Sequence, residues 1–403
     1  MIDYFSHDLN WTKHDLKDSY DAVIVGGGVH GLATAYYLGK QGYTNVAILE
    51  KGYLGYGNSG RNTAIVRSNY RTPEGVPFYA ASLALYEGLS QELGFNIMLS
   101  QRGHLSLAHT ESAVAGLRVR AEVNKCLGVN SRIIWPDEIR AMEPALDMSQ
   151  HSRYPVQAAL FHPPGGILRH DAVVWGYAKA IEKMGAHLHT HTELLGIDVN
   201  KGQVEGVTTS RGKIKTKIVV NATSGWCSHV AAMAGVKLPV TSYALEACVS
   251  EPLKPIISKV LVSASLHIYV NQTDRGELVI GAEIDPYTSY NTRAIFPTLE
   301  QMAAYTLDLL PCAREARILR QWAGTCDMTP DFSPILGETP GVKGFILDVG
   351  WGTYGFKAGP IGGKLTADLI LTGKTPELAK HFVYQRFIDG PLSGEKAAAA
   401  TSH

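Results

Sequence analysis

The sequence predicts an α/β fold: a Rossmann-like dinucleotide domain built from separated segments, interrupted by an antiparallel-sheet unit. Three observations carry this. Residues 20–25 form a β-branched strand that runs into Gly26-Gly27-Gly28-Val29-His30-Gly31, a G-x-G-x-x-G motif that opens a helix. Residues 344–371 repeat the order strand, glycine-rich loop, helix near the far end of the chain. Between these ends, residues 240–327 are dominated by strand patterns.

The elements follow in order. Gly26 permits a tight turn, Gly28 lets the backbone approach a pyrophosphate, and Gly31 lets helix and strand pack closely. The helix over 32–42 carries Ala33, Ala35, Tyr36 and Leu38, and its start offers N–H groups and partial positive charge to phosphates. A strand at 45–49 ends in Glu50, placed to bind both ribose hydroxyls and to repel a 2′-phosphate. The motif alone leaves FAD and NAD open. A glycine-rich turn with no ligand is the plain alternative.

A Gly- and Asn-rich loop at 52–62 leads into 63–70. Helices are expected at 78–93, 111–127 and 171–184, with a short one opened by Pro136. Strands are expected at 101–109 and 155–164, and three or four more at 187–220. The last of these, Ile218-Val-Val-Asn-Ala-Thr223, ends in small residues and reads as a second point where backbone nears a cofactor. Strands at 242–249, 260–263, 267–271, 277–282 and 318–326, with one helix at 299–310, read as an antiparallel sheet. The strand 344–349 and a helix at 362–371 close the pattern. The expected organisation is an N-terminal extension 1–19, FAD-binding segments 20–90, 153–225 and 328–390, a substrate domain of 91–152 and 226–327, and a peripheral tail 391–403. FAD enters here because an NAD dehydrogenase usually keeps its nucleotide domain contiguous.

Composition narrows the class. The 403 residues are 45% hydrophobic and 18% charged, a soluble globular profile too long for one small core. Lys+Arg and Asp+Glu are 37 each, which argues against nucleic acid or an anionic membrane as the main partner. Cys126, Cys227, Cys248, Cys312 and Cys326 show no C-x-x-C spacing, as expected of a reduced, cytoplasmic chain. No apolar run is long enough to span a membrane, and residues 1–19 lack a signal-peptide core. No metal-ligand spacing, Ser–His–Asp set or paired carboxylates stand out, so no metal is expected.

Stretches spread over nearly the whole chain carry a family resemblance. They are Val23-Ile-Val-Gly-Gly-Gly-Val-His-Gly-Leu32, Glu50-Lys-Gly52, Gly57-Asn-Ser-Gly-Arg-Asn62, Val66-Arg-Ser-Asn-Tyr70, Arg169-His-Asp-Ala-Val-Val-Trp-Gly176, Glu277-Leu-Val-Ile-Gly-Ala282, Thr329-Pro-Asp-Phe-Ser-Pro-Ile335 and Gly350-Trp-Gly-Thr-Tyr-Gly-Phe-Lys357. With these the chain resembles the β subunits of heterotetrameric sarcosine oxidases, within the glycine/D-amino-acid oxidase superfamily. The resemblance implies non-covalent FAD, an amine site, and a covalent FMN at the interface with an α subunit. It implies γ and δ subunits as well, and tetrahydrofolate and NAD bound only through the α subunit. The implied reaction passes a hydride from the N-methyl carbon of sarcosine to FAD, then electrons to FMN and oxygen, giving hydrogen peroxide. The imine carbon is delivered to tetrahydrofolate.

Residue roles follow from the resemblance. Arg67 and Lys357 would anchor a substrate carboxylate, one as a fork of donors and one as a point charge; two surface or ion-paired bases are the alternative. Gly26, Gly28, Val29, His30, Gly31, Glu50, Lys51, Asn58, Ser59, Arg61, Asn62 and Thr63 would hold FAD, with Ala222, Thr223, Gly225 and Trp226 at the second approach. Gly350, Gly352, Thr353, Tyr354, Gly355, Phe356 and Lys357 would form a loop beside the flavin, where Tyr354 replaces the commoner glycine and would reshape the pocket. His170 would carry FMN, its ring kept neutral by Arg169 and a helix N-terminus; a surface histidine is the alternative. His267, read as lying on a strand, would orient the amine or would be a satisfied strand histidine. Cys326 lies near the position where monomeric relatives attach FAD, and an apolar filler is the preferred reading. The rivals are oxidation of N-methylglutamate, dimethylglycine or proline in the same architecture, an NAD dehydrogenase, and a flavin-holding assembly subunit without turnover.

Overall fold

The computed structural model describes residues 11–395, other than the side chains of 282 and 283. The first part of the expected N-terminal extension and residues 396–403 of the expected tail lie outside the described residues.

Chain order explains the architecture. β1 (Ala22–Val25) and β2 (Val46–Leu49) are buried along their whole length, which suits apolar runs in a sheet covered on both faces. Between them α1 (Val29–Lys40) starts directly after the glycines. A short β3 (Ile65–Val66) precedes α2 (Gly75–Leu93), which stops at Gly94 in the left-handed conformation. Then come β4 (His104–Ala108), α3 (Glu111–Cys126) with Thr110 as N-cap, β5 (Arg132–Ile134) and α4 (Pro136–Met142) with proline in its first turn. β6 (Ala158–His162), β7 (Gly166–Ile167) and α5 (His170–Lys183) follow. Next are β8 (His187–His189), β9 (Leu194–Asn200), β10 (Gln203–Thr209), β11 (Gly212–Lys215), β12 (Val219–Asn221) and α6 (Cys227–Met233). The β-rich stretch holds β13 (Thr241–Pro252), β14 (Val260–Ser263), β15 (Ile268–Gln272), β16 (Glu277–Thr288), α7 (Phe296–Leu309) and β17 (Ile318–Met328). β18 (Ile335–Thr339), β19 (Val342–Val349) and α8 (Gly355–Thr372) complete the chain's main elements.

Among the described residues the strands form a nine-stranded sheet, an eight-stranded sheet and a two-stranded ribbon. The first has the order β11-β10-β19-β12-β1-β2-β8, with parallel pairing from β10 through β8. The chain leaves β1 toward β2 on one side and finds β12 on the other. The crevice at the carboxyl ends of β1 and β12 is therefore the place where such sheets bind ligands. The second sheet has the order β17-β13-β16-β15-β14-β4-β6-β5. It is antiparallel except at one junction, β14 with β4, which is parallel. β6 pairs with β4 and β5, so the segment expected at 153–225 gives its first strand to this second sheet.

Two local differences from the sequence expectation have clear causes. α8 begins at Gly355, not near 362, so Gly355, Phe356 and Lys357 lie in a helical turn instead of a loop. The glycines and Pro360 read as helix breakers, yet a Cβ at Gly359 would meet Val29 Cγ2 at 2.5 Å and one at Gly363 would meet Ala33 Cβ at 2.5 Å. They are the groove into which α1 packs. Pro360 lacks the N–H that would bond the Phe356 carbonyl, and the Tyr86 hydroxyl donates to that carbonyl instead, at 2.6 Å. His267 is not on a strand. It sits in the turn before β15 at φ 51°, in a run with no Gly or Pro to mark the bend.

Candidate active site

A cavity of about 780 Å³ runs between the two sheets. Its nucleotide end is built at the crevice of the parallel sheet. Gly26 has φ 115°, and a Cβ there would lie 2.4 Å from the Ala222 carbonyl oxygen, so only glycine lets β1 and β12 close here. α1 has no acidic residue in its first turn, and its N-cap Gly28 supplies no side-chain cap. The amide of Val29 donates to Ser59 Oγ at 2.9 Å. The helix start therefore presents its partial positive charge to the cavity, as a diphosphate requires.

Glu50 also faces the cavity. Its two carboxylate oxygens accept from the amides of Gly27 at 3.0 Å and Gly52 at 2.8 Å. Each oxygen keeps a lone pair for a ribose hydroxyl. Burial raises the Glu50 pKa against the pull of those amides. Lys51 lies 4.3 Å over the Trp226 ring at the same end. Glycine cradle, helix start and held carboxylate together fit the dinucleotide of FAD.

Asn58 ties the two sheets across the middle. Its side chain donates to Ser224 Oγ at 2.7 Å and accepts from the Thr325 amide at 2.8 Å. The Trp322 indole donates to the Arg61 carbonyl at 2.7 Å, and Asn62 Oδ1 accepts from the Ala64 amide at 2.7 Å. The loop that looked merely Gly- and Asn-rich is thus a structured wall.

The far end is cationic. Arg67, Arg71, Arg120 and Lys357 all line it. Arg67 is buried, donates to the Asn69 carbonyl and side chain at 3.1 and 2.9 Å, and lies 4.4 Å over the Tyr70 ring. Arg120 donates from Nε to the same carbonyl at 2.7 Å, so Asn69 holds two guanidiniums together. Lys357 is half-buried. Burial first, and then the Arg67 charge, lower its pKa to about 7, with Cys326 opposing. His104, fully buried in the same wall, is held well below the usual imidazole range by burial and by these cations. His162 accepts from the Ser68 amide at 3.2 Å and donates to the Asn130 carbonyl at 2.7 Å, which fixes the backbone beside Arg67. Burial pushes His162 down to about 4, so it stays neutral.

The structure therefore gathers most of the expected residues on one cavity: Gly26, Gly28, Val29, His30, Glu50, Lys51, Asn58, Ser59, Arg61, Asn62, Thr63, Arg67, Ala222, Thr223, Trp226, His267, Gly352, Thr353, Gly355, Phe356 and Lys357. Others lie behind its wall. A Cβ on Gly31 would meet the Gly26 carbonyl oxygen at 2.1 Å, and one on Gly225 would meet Thr325 Cγ2 at 2.4 Å; both serve close packing. Gly350 shapes the turn after β19 against Thr329. Tyr354 was expected beside the flavin but points away from the cavity, because the first turn of α8 buries its ring edge-on against Tyr70 and Tyr79. His170 is not on the cavity wall. It opens α5, half-buried, its ring 6.5 Å from that of Phe356, whose side chain does reach the cavity. Burial, more than Arg169, depresses its pKa, since Arg169 is paired with Asp171 at 2.7 Å. Cys326 lines the cavity with its thiol pushed far up by burial.

Sequence reasoning missed Arg71, Arg120, His104 and His162. None carried a local signal; Arg120 is one of three cations on its helix, with Arg118 and Lys125. It also missed the pair under α1, where His30 Nδ1 stands 2.8 Å from Asp348 Oδ1 and its Nε2 is 2.8 Å from the Gly355 carbonyl. Among the described residues no cluster of three or more His, Cys, Asp or Glu could hold a metal, and no helix is long and apolar enough to cross a membrane.

Comparison with known proteins agrees with this geometry. The profile of the FAD dependent oxidoreductase family matches residues 21–369. The sarcosine oxidase subunit beta of Rhodobacter capsulatus is 44% identical over 394 residues, covering 98% of this chain and 94% of that protein. That of an Arthrobacter species is 42% identical, covering 98% and 97%. Among solved structures, L-proline dehydrogenase from P. horikoshii superposes with a TM-score of 0.87 at 30% identity, covering 94% of this chain and 100% of that one. Glycine oxidase from Geobacillus kaustophilus gives 0.84 at 26% identity, covering 92% and 99%. The protein is an enzyme of the FAD dependent oxidoreductase family and belongs with its sarcosine oxidase β subunits.

Proposed function

We propose that the chain is the amine-oxidising subunit of a sarcosine oxidase. The observation that carries this is the convergence of Arg67 and Lys357 on the same cavity that holds the FAD-type cradle. A small amino acid enters with its carboxylate against these cations and its N-methyl group toward the flavin. Bound FAD supplies the acceptor for the hydride of that methyl carbon. The chain's residues bind and orient. Arg67 offers a fork of donors and Lys357 a point charge, and the pair fixes one end of the substrate. The same positive field disfavours a protonated amine, so the substrate is held as the neutral amine without a dedicated base. His267, in its turn at the cavity wall, is placed to orient the amine. Gly352, Thr353 and Gly355 bring the start of α8 to the cavity, where helix polarity favours negative charge.

His170 is the proposed attachment point of FMN. Its burial keeps the imidazole neutral and therefore nucleophilic, and its ring packs edge-on near Phe356, which lines the FAD cavity. We assign the partners as α, γ and δ subunits, with tetrahydrofolate and NAD held by the α subunit, oxygen as final acceptor and the cytoplasm as location. The three curated relatives of similar length are each called a beta subunit, which supports an assembly. The domain division 20–90, 153–225 and 328–390 against 91–152 and 226–327 stands as a proposal in the same sense, except that β6 (Ala158–His162) moves to the second unit because it pairs with β4 and β5.

Steady-state turnover of the assembled enzyme with sarcosine, N-methylglutamate, dimethylglycine and proline tests the substrate. Sarcosine should be preferred, and no turnover with it would sink the reading. A mass spectrum of the denatured chain tests the second flavin: an FMN adduct on the His170 peptide is expected, and an unmodified peptide from holoenzyme would count against it.

A further inference from the structure

The motif Thr329-Pro-Asp-Phe-Ser-Pro334 lines neither end of the cavity, and its aspartate does something else. Asp331 is buried. It receives Arg386 through Nε at 2.8 Å and Nη2 at 3.1 Å, and Arg386 also donates to the Ser333 carbonyl at 2.7 Å. The same carboxylate accepts the amide of Ser393 at 3.1 Å. One buried aspartate thus pins the C-terminal segment at two points, and two residues after the second pin comes Glu395.

Glu395 is buried at 3% exposure, although residues 391–403 read as a peripheral tail. One of its carboxylate oxygens accepts from the amides of Arg71 and Thr72 at 3.1 and 3.0 Å and from the Thr72 hydroxyl at 3.0 Å. These groups precede α2, whose first turn has no acidic residue of its own. The Glu395 carbonyl accepts the Tyr354 hydroxyl at 3.0 Å. Tyr354 in turn meets Tyr70 edge-on at 5.6 Å, and Tyr70 carries the Arg67 guanidinium on its face. Glu395 therefore grips the segment 67–72 at one end through backbone amides and reaches its other end through two tyrosines. The fit is close: a Cβ on Gly75 would lie 2.6 Å from the Glu395 carboxylate oxygen.

We propose that the stretch from Arg386 to Glu395 is a latch that closes the back of the carboxylate pocket, with Glu395 a positioning residue for Arg67 and Arg71. The inference rests on the reading that these cations receive a substrate carboxylate. Asp331 sets the path of the chain, Glu395 is its bolt, and the hydrogen bonds to residues 71 and 72 hold the arginines on the cavity wall. The latch acts through placement of donors, so an uncharged acceptor of the same shape should serve.

The test uses holoenzyme and methoxyacetate, the oxygen isostere of N-methylglycine, with binding read from perturbation of the flavin spectrum. Glu395→Ala removes the bolt. Gly75→Ala crowds both the Glu395 carboxylate oxygen, at 2.6 Å, and the Thr72 hydroxyl that binds it, at 2.8 Å, without altering any charge. Each should weaken methoxyacetate by about five- to a hundredfold, the effect of unsettling a buried hydrogen-bonded group. KM for the amine should rise while kcat and flavin content are kept. Glu395→Gln, whose amide oxygen can accept the same three donors, should restore binding. Binding unchanged in both alanine variants, equal weakening in Glu395→Gln, or loss of flavin together with carboxylate binding would each overturn the latch. No saturable binding in the unaltered enzyme would instead overturn the carboxylate reading beneath it.

Discussion

The carboxylate-binding role proposed for Lys357 predicts a pH limit on substrate binding. Burial and the Arg67 charge bring its pKa from the ordinary lysine value to about 7. Around it, His104 is held well below the imidazole range and the Cys326 thiol is held well above its own. Among these groups Lys357 alone changes charge near neutrality. A carboxylate binds the ammonium form and raises its pKa, so binding takes up a proton once the pH exceeds about 7. Methoxyacetate, ionised throughout, should bind with constant affinity below that point. Above it, affinity should fall by up to about tenfold per pH unit, the limit for one linked proton. The fall stops when the pH passes the raised pKa of the complex. Truncating one partner of a buried charge pair costs about 2–5 kcal/mol, so Lys357→Met should weaken binding by roughly thirtyfold or more on the acid side and leave a flat profile. Spectral titration at several pH values reads both. A flat profile in the unaltered enzyme, or a slope that survives Lys357→Met, would refute the role given to Lys357.

Other outcomes follow from single contacts. Tyr354→Phe should lower stability by about 1 kcal/mol through the lost hydrogen bond and leave the order of preference among amines unchanged, because the ring does not face the cavity; thermal melts and a substrate panel decide it. Gly31→Ala puts a methyl group 2.1 Å from the Gly26 carbonyl oxygen, so purified protein should be short of FAD and less stable by about 1–3 kcal/mol. Asp331→Asn should cost about 3–5 kcal/mol by leaving Arg386 buried without its counter-charge. Burial works to raise the Asp331 pKa, but Arg386 overcomes it and holds it below the usual range. The pair's contribution is therefore complete above the ordinary carboxylate pKa and is lost as pH falls through the lower folded value. Acid melts of Asp331→Asn should lack that limb.

Much of the fold was readable because its signals are local. The glycines from Gly26 to Gly31 sit between strand and helix, and the carboxylate at Glu50 ends the next strand; both arise from the period of the chain itself. What was not readable depends on contacts between distant segments. The early start of α8 is permitted by Val29 and Ala33 of α1 and by Tyr86 of α2, none of which a window around Gly355 contains. The outward turn of Tyr354 follows from that same helical phase. Arg67 and Lys357 were found through motif resemblance, whereas Arg120 and His104 reach the cavity only because α3 and β4 fold onto it, and Glu395 reaches the backbone of residues 71 and 72 only because the C-terminal segment folds back. His170 lies off the cavity wall with its ring 6.5 Å from that of Phe356, a placement set by packing between distant segments.

The most direct measurement is anaerobic mixing of the purified, assembled enzyme with sarcosine while the visible flavin spectrum is recorded. Rapid bleaching of the bound flavin, saturating with sarcosine and strongly slowed in Arg67→Ala and Lys357→Met, is the expected result. A spectrum that sarcosine leaves oxidised, while another amine or a nicotinamide cofactor reduces it, would contradict the function proposed for this chain.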